Sequence, residues 1–272
     1  MWGQIAAANS ISDVFAMGGS PLVALNVVAF PLNCLPLDML KKLMEGGASK
    51  VSESGAFLMG GHSVEDKEPK YGLCVFGEVD RSAMWRTTGA KAGDVLVLTK
   101  PLGTGIAATA VKAEMAEPEL ADAAVKWMTK LNDLPRFMSA ELRAAVSAAT
   151  DVTGFGFAGH ALDMLSSHTV DLKLDTASLP TLPGAADMSS MGLLPAGAYR
   201  NEKLYAPQLD GLDALAQEIK DFLFDPQTSG GLLLAAPADA ADEIVRIARS
   251  RGFDETRVIG RFKAGRGRID CR

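Results

Sequence analysis

The sequence predicts two domains, an α+β unit followed by a layered α/β unit. Three observations lead there. An opening helical pattern is followed by strand, helix, strand and strand. Residues 87–93 then form a polar, glycine-containing break of the kind that joins domains. Beyond the break, strand and helix patterns alternate again. The expected domains are residues 1–92 and 93–272.

The opening helix starts as an apolar run at residues 2–8, directly after Met1, with no capping residue or basic signal region before it, and should stop at Gly18-Gly19. Pro21 leads into a β-branched run of strand length at 22–30. Leu37, Leu40, Met44, Gly47 and Val51 recur at helical spacing, and Gly55 offers a stop. A strand at 56–59 runs into Gly60-Gly61-His62-Ser63, and a third strand, 71–79, follows the polar turn at 65–70. After the break come a strand (94–99), a turn (100–105) and helices at 106–116, 120–130 and 140–148. Residues 151–156 open a helix at 157–165, a strand covers 170–174, and the Pro/Gly-rich stretch 179–199 reads mostly as loop. A helix (212–223), a polar turn (225–231), a strand (232–236), a helix (239–251) and a strand (258–262) complete the pattern.

Composition excludes several classes of protein. With 272 residues, 48% apolar and 22% charged, the chain is globular and neither disordered nor fibrous. Its longest apolar run, 22–30, is broken by Asn26 and falls far short of the ~20 residues a membrane span needs. Cys34, Cys74 and Cys271 form no CxxC pair and read as buried small hydrophobes of a reducing, cytoplasmic compartment. The 27 basic and 33 acidic residues give a net charge of −6, the wrong sign for a nucleic-acid groove. A small phosphorylated ligand carrying its own magnesium suits an acidic chain better, because carboxylates hold the metal and the metal holds the phosphates.

Four segments could carry such chemistry. Asn9 and Asp13 stand four residues apart and share a helix face, with Asp13 suited to magnesium or simply to solvent. Gly60-Gly61-His62-Ser63 could cradle a phosphate or make a tight turn. In Thr150-Asp151-Val152-Thr153-Gly154-Phe155-Gly156, Asp151 could reach a metal, or Asp or Thr could cap the following helix, on which His160 reads as a packed residue. Asp225-Pro226-Gln227-Thr228-Ser229-Gly230-Gly231 lacks the Gly-Lys-Ser/Thr ending of a phosphate loop and reads as a turn held by its own side chains.

In this order, these segments resemble the selenophosphate synthetase (selenide, water dikinase) family of the aminoimidazole ribonucleotide synthetase superfamily. The resemblance rests on residues 5–19, Gly60-Gly61-His62-Ser63, residues 150–156 and residues 225–233, and it covers essentially the whole chain. It implies an N-terminal domain whose sheet pairs with its twin into a dimeric β-barrel, and a larger C-terminal α/β domain. It also implies conversion of ATP, selenide and water to selenophosphate, AMP and phosphate with Mg2+. The implied metal ligands are Asp13 and Asp151; the implied ATP contacts are Asp13, Asn9 and, from the other subunit of a homodimer, Gly61, His62 and Ser63. Alternatives are a thiamine monophosphate kinase-like or purine synthetase-like enzyme, or a non-catalytic binding module.

Family members carry a glycine-rich N-terminal arm with a nucleophilic cysteine or selenocysteine, a lysine and further acidic residues. The resemblance places that nucleophile and lysine upstream of Met1, so no catalytic residue is expected within the 272 residues. None of the three cysteines takes the nucleophile's place. The resemblance therefore implies a truncated, weakly active or inactive form.

Overall fold

The computed structural model describes residues 1–272. It opens with α1 (Trp2–Ala16), β1 (Ser20–Phe30), α2 (Leu37–Glu53), β2 (Phe57–Glu65) and β3 (Lys70–Glu78). These strands form a sheet in the order β2-β1-β3. The helix α2 carries the chain back so that β2 runs parallel to β1, while the short turn after β2 makes β3 antiparallel. β1 buries Ala24, Asn26, Val28 and Phe30 on one face. Against the sheet α1 lays Ala8, Ile11 and Phe15. The fully buried Ile11 and Phe15 are worth roughly 2–3 kcal/mol each. Ala16 and Ile5 of the same helix join the second, larger core. Packing on both sides explains why the first residues are so uniformly apolar. The opposite face of the sheet leaves Leu22, Val27, Phe57, Met59, Val64 and Phe76 exposed.

The Gly-Gly pair does not make the tight turn that was one of its two readings. β2 continues through it, because β1 is long enough to pair on both sides: Ala24 faces Leu58 and Asn26 faces Gly61, so β2 carries an extra residue as a bulge. Gly61 has φ 141°, and a Cβ there would lie 2.1 Å from the Asn26 carbonyl oxygen. Only glycine allows that approach.

The second part contains β4 (Val95–Leu98), α3 (Thr104–Lys112), α4 (Pro118–Thr129), α5 (Ala140–Ala145), β5 (Ala148–Asp151), α6 (Gly156–Met164), β6 (Val170–Leu174), α7 (Ala185–Ser190), α8 (Ala196–Tyr205), β7 (Leu209–Asp210), α9 (Gln217–Phe224), β8 (Leu232–Ala236), α10 (Ala238–Ser250), β9 (Arg257–Ala264) and β10 (Ile269–Cys271). Seven strands form a sheet in the order β5-β8-β4-β9-β6-β10-β7. The pairings from β5 to β6 are antiparallel and those of β10 are parallel. β4 and β8 are buried throughout, which explains their unbroken apolar runs.

Several expectations change. The helix expected over 140–148 ends at Ala145, and Ala148–Asp151 is strand β5, because β8 offers it a buried antiparallel edge. The stretch 179–199 holds α7 and the start of α8, short helices set off by Gly184, Gly192 and Pro195. The helix expected over 212–223 is a brief 3-10 turn followed by α9. Only Cys271 is buried; Cys34 and Cys74 are exposed. Cys74 pairs with Leu25 on β1, in a sheet with one uncovered face, and Cys34 lies in the loop after β1. No helix is long and apolar enough to cross a membrane.

Candidate active site

The sequence supplies α1 with Asn9, Ser12 and Asp13 within just over one helical turn. Asp151 ends β5, the edge strand of the large sheet. The two elements meet. The Ser12 hydroxyl donates to Asp151 Oδ2 at 2.5 Å, and Asp13 lies at the surface near enough to Asp151 for the charges to interact. Burial raises the Asp13 carboxyl above its ordinary pKa, the Asp151 charge adds to this, and His160 partly opposes it. Burial also raises Asp151, with the Ser12 hydrogen bond and the Lys100 charge pulling the other way.

The segment 225–231 lies beside this pair. Its Ser229 N–H donates to Asn9 Oδ1 at 2.9 Å. The amide nitrogen of Asn132 donates to Ser12 Oγ at 2.9 Å and to the Gly230 carbonyl at 2.8 Å. Lys100, fully buried, donates to the carbonyls of Ser229 at 2.9 Å and Lys130 at 2.6 Å. Burial pulls its pKa down to about 7, and the nearby Lys130 charge contributes. Gln227 Oε1 accepts from the Gly103 and Thr104 N–H groups and the Thr104 hydroxyl, and Asp225 Oδ2 accepts from Gly105 N–H and Gln227 Nε2. The N-terminus of α3 is thus closed by protein side chains. The segment is a turn held by its own side chains, with the Asp225 carboxyl pushed up to about 7 by burial.

Neither Asp151 nor Thr153 caps α6, which has no side-chain cap. Asp151 is engaged by Ser12, and Thr153 Oγ1 meets His160 Nε2 at 3.2 Å. His160 is a packed residue, 5.5 Å from the Phe155 ring centroid, with its pKa lowered by burial. A cavity of about 520 Å3 is lined by Trp2, Ile5, Asn9, Tyr71, Thr153 and Thr228 among others, and by neither Asp13 nor Asp151. Met1 does not line that cavity. It is exposed and stands as the N-cap of α1, where only its carbonyl is engaged, accepting from Ile5 N–H at 3.1 Å. Gly61, His62 and Ser63 line a different cavity, of about 220 Å3, with Asn26, Leu40 and Met44. His62 pairs with Val27, which is exposed on the uncovered sheet face.

The structure therefore brings Asn9, Asp13 and Asp151 together and leaves Gly61-His62-Ser63 in a separate cavity of the same chain. Lys100 and Asn132 lie outside the segments the sequence singles out; Ser12 and Gln227 lie inside them, but their roles were not recognisable. The partners of all four are distant in sequence, and single polar residues give no periodic signal. Asp13 and Asp151 form none of the chain's salt bridges. Nowhere do three or more His, Cys, Asp or Glu residues gather as a ready metal cage. Two hard, unneutralised carboxylates fit magnesium as a partial ligand set, since that ion usually takes one or two carboxylates plus phosphate and water oxygens.

The chain, with a three-stranded sheet followed by a mixed seven-stranded one, belongs to the AIR synthase related class. The family described as AIR synthase related protein, N-terminal domain, matches residues 1–79, and its C-terminal domain counterpart matches residues 91–271. Within that class the chain belongs to the selenide, water dikinase family. It is 44% identical over 260 residues to the selenide, water dikinase of Clostridioides difficile (strain 630), covering 96% of this chain and 74% of that one. It is 48% identical over 244 residues to that of Geobacter sp. (strain M21), covering 88% and 68%. Among solved structures, hydrogenase maturation protein HypE in complex with ATP superposes with a TM-score of 0.77 at 13% identity, covering 99% of this chain and 75% of that one. Thiamine monophosphate kinase from Aquifex aeolicus gives 0.69 at 18%, covering 100% and 81%. At such identities the likeness is one of fold.

Proposed function

We propose that this chain forms the nucleotide- and magnesium-binding body of an enzyme that converts ATP, selenide and water to selenophosphate, AMP and phosphate. The observation that carries the reading is the meeting of Asp13 and Asp151 across α1 and β5, in a chain of the selenide, water dikinase family. Phosphoryl transfer depends mainly on positioning and charge neutralisation, which carboxylates and nearby polar groups serve. When bound, magnesium supplies that neutralisation. Asp13 and Asp151 would hold it, and Asp13 would also stand next to the nucleotide. Asn9 keeps its amide nitrogen for ATP while its oxygen binds Ser229.

Gly61, His62 and Ser63 would touch ATP bound by the second copy of a homodimer. Supporting this, their cavity is separate from the carboxylates, and His62 pairs with Val27 on the exposed apolar sheet face. A cytoplasmic setting is supported by three free cysteines. A domain boundary at residue 92 is supported by the gap between β3 and β4.

The test has two arms. Titration of this chain with ATP should show Mg2+-dependent binding that is lost in Asp13→Asn and Asp151→Asn. Selenide should drive AMP formation by the native protein, whereas stimulation of ATP use by thiamine monophosphate would overturn the assignment. Nucleotide binding independent of both magnesium and these aspartates would instead favour a non-catalytic binding module.

A further inference from the structure

Asn132 stands in the connection after α4, only 1% exposed, and Ser12 is fully buried. The direction of every hydrogen bond between them and Asp151 follows from chemistry. The Gly230 carbonyl can only accept, so the Asn132 amide must present its nitrogen there, and that nitrogen also reaches Ser12 Oγ. Ser12 Oγ accepts from Asn132 and gives its one proton to Asp151 Oδ2. Ser10 on the same helix shows the usual alternative, bonding back to the Ala6 carbonyl. Ser12 instead reaches across to the other sheet.

The brace has a second arm. Gly230 N–H donates to the Val152 carbonyl at 3.1 Å, and Val152 N–H donates to the Gly231 carbonyl at 2.9 Å. Asn132 thus holds both the hydroxyl bonded to Asp151 and the turn paired with the residue after Asp151. Asp151 Oδ1 is claimed by no other residue. Asn132 Oδ1 is buried without a partner, which costs stability.

We propose that Asn132 and Ser12 are positioning residues that orient the Asp151 carboxylate toward its metal, fixing Oδ2 so that Oδ1 is presented in one direction. This rests on the reading of Asp13 and Asp151 as magnesium ligands. Neither Asn132 nor Ser12 touches substrate; both act through Asp151. Outer groups that orient a metal ligand typically govern about 10–100-fold in metal affinity.

The test uses Mn2+ as the probe, titrated into this chain in the presence of ATP and followed by the paramagnetic signal of the free ion. Ser12→Ala and Asn132→Leu should each weaken Mn2+ binding about tenfold, and the double variant should be no weaker than the worse single variant, because both break one relay. Ser12→Thr, which keeps the hydroxyl, should recover most of the affinity, as a purely structural role for the hydroxyl-bearing site would not require. If Asp151→Asn abolishes Mn2+ binding while Ser12→Ala keeps wild-type affinity, the relay is refuted and the metal reading stands. If Asp151→Asn itself binds Mn2+ like the wild type, the metal reading falls and takes the relay with it. Should Asn132→Leu fail to fold, Ser12→Ala and Ser12→Thr decide the matter alone.

Discussion

Ser12 on the first helix donates its hydroxyl proton to Asp151 at the end of β5, 139 residues further along the chain. That bond fastens α1 to the edge of the large sheet, and Asp13, the next residue, is carried to the same place. A local motif thereby becomes one half of an acidic pair.

The pair should show opposite effects on stability and on binding. Both carboxyls are raised above 3.8, chiefly by burial. A carboxyl raised in the folded state contributes stability that is present below its unfolded pKa and lost as pH rises through the folded value. At neutral pH without metal, Asp13→Asn should therefore melt at the same temperature as the wild type or higher. Its affinity for Mg2+-ATP should fall at least about tenfold, equivalent to ~1.4 kcal/mol. Thermal melting and calorimetric titration check the two halves of this expectation.

Two buried groups make opposite contributions to the pH dependence of stability. Asp225, raised from 3.8 to about 7, weakens the fold as pH rises across that interval. Lys100, lowered from 10.5 to about 7, binds fewer protons folded than unfolded between those values, so stability rises with pH above about 7. Together they produce a minimum near pH 7. Melting temperatures measured from pH 4 to pH 10 should show Asp225→Asn flattening the acid limb and Lys100→Met flattening the alkaline limb.

Gly61→Ala should be severe. Its Cβ would fall 2.1 Å from the Asn26 carbonyl oxygen, at a backbone φ of 141°. Gly60 shares a positive φ but has no atom within 4 Å of an added Cβ. Urea unfolding should show a loss above about 2 kcal/mol for Gly61→Ala and a smaller one for Gly60→Ala.

The uncovered sheet face should govern assembly. Phe57 is 72% exposed and Phe76 58%, on strands flanking β1, and large apolar patches of this kind mark interfaces. Sedimentation should show a dimer for the wild type. Phe57→Glu combined with Phe76→Glu should give a folded monomer with an unchanged far-ultraviolet spectrum.

Much of this was legible locally. The helix carrying Asn9 and Asp13, the buried strands at 95–98 and 232–236, and the polar turn at 225–231 each announce themselves by spacing or composition. The bulge at Gly60-Gly61 was hidden, since Gly-Gly is first a turn signal and only the length of β1 makes it part of a strand. β5 was hidden too, because an alanine-rich run has no period, and β8 supplies the edge that decides it.

By itself, the sequence determined the order of elements, the acidic residues available and the glycines where backbones can approach closely, because these depend on neighbours within a few positions. Tertiary structure alone decided that Ser12 serves Asp151, that Asn132 braces both Ser12 and Gly230, and that Lys100 lies buried beneath the turn. The bonds of Ser12 are made on closing α1 against the large sheet, the others join loops far apart in sequence, and a buried polar group takes whichever partner the packing brings within reach.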